Sequence, residues 1–155
     1  MTQITRQDFY GFRMLIQELE QKTSQYEVMS RKLGAPASSI ISSMPKGQNP
    51  SNRLEYLLNK RIELGKKIDL LKVRITHERC MLDNAMACLN VSERTVLESR
   101  YFLIYSWEEI TDIIFGSFPD FKENREEYLQ KTRVIQTSAF KKIEGKKIMK
   151  DEANQ

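Results

Sequence analysis

Two apolar stripes of similar length, joined by one proline- and serine-rich segment, constrain this chain more than any other feature. The first runs through Phe12, Leu15, Leu19, Tyr26, Met29 and Leu33 at spacings of three and four, with Lys22 in the missing heptad slot. Gly34 stands where a helix-ending glycine belongs. The second stripe runs through Leu54, Leu57, Leu64, Ile68, Leu71, Ile75, Leu82 and Ala85, interrupted at Arg61 and Glu78. Neither stripe can stay in water alone, so an antiparallel helical hairpin is expected, with helices near 8–34 and 52–88. Between them "APASSIISSMPKGQNPS" breaks any helix and forms a linker over 35–51, with Ser51 as N-cap of the second helix. The second helix is the longer, so its excess apolar surface needs cover from the rest of the chain or from a second copy. Residues 1–88 therefore read as a hairpin and a candidate homodimerisation element.

Composition agrees with an all-α fold. Charged residues make up 30% of the 155 residues, against six Gly and four Pro, a balance that suits long solvated helices. No apolar run approaches the length of a membrane span, and the start "MTQITRQDFYGF" has no signal-type apolar core, so no membrane partner is expected. Cys80 and Cys88 match no metal spacing and read as reduced core thiols, which points weakly to the cytoplasm. The single histidine, His77, reads as a surface or packing residue. There is no phosphate-cradling G-x-x-x-x-G-K-[ST] loop and no evident nucleophile–base pair, so the chain reads as a non-enzyme with no cofactor and no metal.

Residues 89–150 have a different character. Asn90 and Ser92 are both possible N-caps for a short helix burying Val96, Leu97, Tyr101 and Phe102. Ser106 with Glu109 makes a capping box for a second helix, whose apolar face is Trp107, Ile110, Ile113 and Ile114. Phe115-Gly116 ends that helix, and Asp120 with Glu123 offers a second box. A long helix follows, with Tyr128, Thr132, Ile135, Ala139 and Ile143 on one face. Gln130, Arg133, Val134, Thr137 and Lys141 take the opposite one. Residues 128–150 hold seven Lys or Arg against the single acid Glu144, a local charge of +6 beside +4 for the whole chain. Short helix, tether, capped helix, turn and basic helix compose a helix-turn-helix arrangement. The lysines and arginines would neutralise phosphates, while Arg, Gln and Thr could read base edges. Solubilising a C-terminal helix is the plainer use of the same lysines.

"SERTVLESRYFLIYSWEEITDIIFG" resembles the start of the helix-turn-helix of bacterial sigma-factor region four, through Arg94, Val96, Leu97, Arg100, Tyr101, Ser106, Glu109 and Ile110. "AFKKI", Ala139 to Ile143, is similar to the close of that family's recognition helix. With the "SSMPKG" loop, Ser42 to Gly47, the chain resembles ArpU-like and RinA-like late-gene regulators of phages of Gram-positive bacteria. The resemblance implies a sigma-region-four-like unit that binds double-stranded DNA and activates phage packaging and structural genes with host RNA polymerase, in the bacterial cytoplasm. The DNA-binding candidates are Ser106, Gln130, Lys131, Arg133, Thr137, Lys141 and Lys142. The motif core would be Val96, Leu97, Tyr101, Trp107, Ile110, Ile135, Ala139 and Ile143. A helical adaptor that binds polymerase or a packaging protein without reading DNA is the alternative. One departure stands out: Gly116 and Lys131 lie fifteen residues apart, where about five would be usual, and the insert carries Glu123, Glu126 and Glu127. Acids there would repel phosphates, which leaves the insert open as a wing, a polymerase contact or an inhibitory cover.

Overall fold

A computed structural model describes residues 3–34 and 50–153, with side chains described for 3–34 and 52–145. The expected linker 35–51, including the M-P-K-G segment, lies almost wholly outside the described residues. Among them all regular structure is helical: α1 (Arg6–Gly34), α2 (Pro50–Ala85), a 3-10 turn (Met86–Cys88), α3 (Val91–Leu97), a π turn (Glu98–Phe102), α4 (Trp107–Phe115) and α5 (Arg125–Ala153). No described helix is long and apolar enough to cross a membrane. α2 starts at Pro50, one residue before the expected cap Ser51. Proline suits a first helical turn, because its missing N–H would have no intrahelical partner there.

The chain divides into two compact units, one of Met1–Met14 with His77–Gln155 and one of Leu15–Thr76. This division passes through the two long helices, at 14/15 and 76/77, whereas the expected boundary lay at 88/89. Within the second unit, Tyr26 lies against Gly65, and Glu18 and Lys22 share a groove with Lys67, Leu71 and Arg74. Later residues of α1 meet earlier residues of α2, the order of an antiparallel pair. The groove buries little. Leu15, Leu57, Ile68 and Leu71 are buried, whereas Leu54, placed in the stripe by its spacing, is 40% exposed.

The first unit holds most of the core. Phe9 and Phe12, at the start of α1, are fully buried with Leu82, Met86, Val96, Leu97, Tyr101 and Ile110. Phe9 stands edge-on to Tyr101 and Phe140, at 5.7 and 5.3 Å between ring centres, and Phe12 to Phe102 at 4.9 Å. Edge-to-face pairs at these separations add to the area they bury. The expected reading of Cys80 and Cys88 as core thiols is corrected: both are free and exposed. Leu82 is the residue that α2 turns inward, and Cys80, two positions earlier, lies about 200° around the helix.

Candidate nucleic-acid interface

Local capping sets the frame. Asn90 caps α3, accepting from the Glu93 amide at 2.9 Å while the Glu93 carboxylate accepts from the Asn90 amide at 3.4 Å. Ser106 and Glu109 make the same reciprocal pair at the start of α4, at 3.2 and 2.8 Å. Both boxes are legible as short-range patterns, and Asn90 rather than Ser92 takes the first. After Leu97 the helix widens into a π turn, with the Leu103 amide donating to the Glu98 carbonyl at 3.0 Å. An i→i+5 turn brings Leu97 and Phe102 onto one side, and both are buried. Ile104 then takes a positive φ of 59°, a costly conformation for a β-branched residue, in the tether that aims α4.

α4 meets α5 through a buried pair of hydroxyls. Thr111 Oγ1 and Thr132 Oγ1 are 3.1 Å apart, and each hydroxyl also reaches the carbonyl four residues earlier in its own helix. Beside them Ile110 is fully buried. Trp107, expected in the core, is only half-buried; Arg100 lies over its ring, 4.8 Å from the centre. Ile113, expected on the apolar face, is 54% exposed.

The segment between α4 and α5 folds as consecutive turns, and α5 starts at Arg125. The expected Asp120–Glu123 capping box does not form. Instead Tyr128 donates its hydroxyl proton to Asp120 Oδ1 at 2.6 Å, and Asn124 Nδ2 donates to Oδ2 at 3.1 Å. These two bonds hold the Asp120 carboxyl below its usual range, and the same contact pushes the Tyr128 phenol up to about 12. Phe115, Phe118 and Phe121 gather around the Tyr128 ring at 4.9 to 5.8 Å. The insert is therefore a packed aromatic turn. Arg125 is tied back to Asp112 at 3.4 Å, while Glu126 and Glu127 stay exposed in the first turn of α5.

α5 buries Tyr128, Thr132, Gln136, Ala139, Phe140 and Ile143, with Ile135 at the margin. The inward face includes Gln136 and Phe140, which the sequence pattern omits, so its centre is rotated by about 30° from the expected one. All seven proposed DNA-binding residues are exposed or at the surface margin. They differ in what they already hold. Ser106 is engaged as a cap. Lys131 sits 3.9 Å from Glu127 and over the Tyr128 ring at 4.8 Å. Lys142 is paired with Glu93, whose carboxylate is buried. Arg133 and Lys141 have no partner among the described residues, and with Gln130 and Thr137 they line the outward side of α5. Among the described residues no group of three or more His, Cys, Asp or Glu could hold a metal ion.

The chain matches no protein-family model, no curated protein and no solved structure.

Proposed function

We propose that this chain is a sequence-specific DNA-binding transcription activator of phage late genes, acting with host RNA polymerase in the bacterial cytoplasm. One observation carries the reading. Arg133 and Lys141 are exposed cations without an ion-pair partner among the described residues, on the outward side of α5, with Gln130 and Thr137 beside them. The cations would neutralise backbone phosphates, releasing condensed counterions, while Gln130 and Arg133 could make bidentate contacts to adenine and guanine edges. The acidic first turn, Glu126 and Glu127, argues that the middle of α5 rather than its N-terminus approaches the duplex. Titrating salt against binding to random duplex DNA, and to DNA upstream of the late genes, tests the reading. A regulator shows a steep salt dependence and prefers one site. Weak, salt-insensitive binding to both would refute it.

The unit is proposed to act as a homodimer joined through the hairpin. Ile62, Leu70 and Val73 are 54%, 72% and 69% exposed on α2, apolar surface that a second copy would cover. The adaptor reading draws on a different surface: Ile113 at 54% and Phe118 at 46% exposed lie next to the acidic start of α5, where a protein partner fits better than phosphate.

A further inference from the structure

We infer that Arg13 and Arg100, with Arg6 beside them, form a second phosphate-binding site for the same DNA, built by the start of α1 and the π turn. The inference rests on the DNA-binding reading. Arg100 is held from two sides: its Nη1 donates to the Tyr105 carbonyl at 3.2 Å, and its guanidinium stacks on Trp107. Arg6 lies over the rings of Tyr10 and Phe140, at 5.6 and 5.3 Å, and donates to the Tyr10 hydroxyl at 3.3 Å. Arg13 is half-buried, and its Nε is buried without a hydrogen-bond partner.

These contacts hold the Arg6 and Arg100 guanidinium groups through rings, a hydroxyl and a carbonyl, while the Glu144 carboxylate meets Arg6 only at its backbone amide, at 3.3 Å. Elsewhere in the same unit arginines meet carboxylates: Arg94 has Glu98 and Asp83, Arg79 has Asp83, and Arg125 has Asp112. None of Arg6, Arg13 and Arg100 forms an ion pair with a carboxylate among the described residues. Burial first, and then the like charge of Arg13, lower the proton affinity of Arg100, with Tyr101, Tyr10 and the carboxylate of Glu108 acting in the opposite sense. A long side chain with no counter-charge ordinarily swings into water; here ring stacking and the Tyr105 carbonyl hold two of the three forks in place.

Planar guanidinium forks suit phosphodiester oxygens, which they can grip with two parallel hydrogen bonds. Position points the same way. Arg6 rests on the ring of Phe140, a buried residue of α5, so the cluster adjoins the helix whose outward side carries Arg133. The cluster thus lies beside α5, in the same compact unit as the outward cations.

The test compares the full chain with two double variants, using anisotropy of a labelled random-sequence duplex across a salt series. Arg13→Gln with Arg100→Gln should lower the slope of log affinity against log salt by about two, one for each phosphate no longer neutralised. Arg13→Lys with Arg100→Lys should keep the slope, because charge is retained. A Gln pair that melts like the parent and keeps the parent slope overturns the inference while leaving the DNA reading intact. A parent chain with no salt-dependent duplex binding overturns both. If the Gln pair does not fold, Arg6→Gln with Arg13→Gln on the surface of α1 makes the same measurement, with the same drop expected and an unchanged slope counting against the site. Loss of binding to polyglutamate, with duplex binding unchanged, would assign the cluster to an acidic protein instead.

Discussion

Lys142 donates a hydrogen bond to Glu93, 49 residues earlier, and so fastens α5 to the capping box of α3. Glu93 is only 3% exposed, and its other carboxylate oxygen is buried without a partner. Removing the ammonium leaves a buried anion with one weak backbone donor. Lys142→Ala is therefore expected to cost roughly 1–3 kcal/mol, discounted because the lysine is half exposed. Lys141→Ala, one residue away and solvated, should stay within about 0.5 kcal/mol. Chemical denaturation of the two variants checks this contrast.

Gly116 closes α4 at a point where a side chain has no room. A Cβ there would collide with the Asp112 carbonyl oxygen, the same atom that accepts the Gly116 amide at 2.9 Å. Gly116→Ala should destabilise by about 1–3 kcal/mol, because only backbone movement relieves the clash. A thermal melt unchanged from the parent would show that the turn yields easily.

The Asp120–Tyr128 contact sets a pH dependence at each end of the scale. The depressed Asp120 carboxyl contributes stability that is fully present above its unfolded value near 4 and is lost as pH falls through the lower folded value. The raised Tyr128 phenol contributes stability present below about 10 and lost as pH rises through about 12. Tyr128→Phe should return the Asp120 titration, followed by NMR, toward the ordinary carboxylate range. An unmoved titration would assign the depression to Asn124 alone.

What is legible in the sequence is what a few neighbouring residues decide. Ser106 with Glu109 and Asn90 with Glu93 are three apart, so their capping boxes follow from spacing alone, and Val96, Leu97, Tyr101 and Ile110 follow from helical periodicity. What is not legible depends on partners far along the chain. Asp120 satisfies the spacing of a capping box, yet the Tyr128 hydroxyl competes for its carboxylate. Trp107 has the largest apolar surface on α4, yet it lies under Arg100 at the edge of the core. Phe140 is peripheral by its spacing, yet Phe9 and Tyr101 close around it, and that packing rotates the inward face of α5. The cluster of Arg6, Arg13 and Arg100 is invisible in a linear reading, since its members are drawn from two elements almost ninety residues apart.

The exposed apolar residues of α2 predict self-association. Sedimentation at micromolar concentration should give about twice the 18.2 kDa chain mass, and Leu70→Glu with Val73→Glu should return it to one chain. A monomeric parent would place the source of avidity in tandem sites or in polymerase.

The central claim is that the outward side of α5 meets DNA phosphates, and the salt dependence of duplex binding measures it most directly. Arg133→Ala with Lys141→Ala should lower the slope by about two units and weaken binding to every duplex, because phosphates are common to them all. Any preference carried by Arg133 at a base edge should relax as well. A double variant that keeps the parent's affinity and slope would contradict the account.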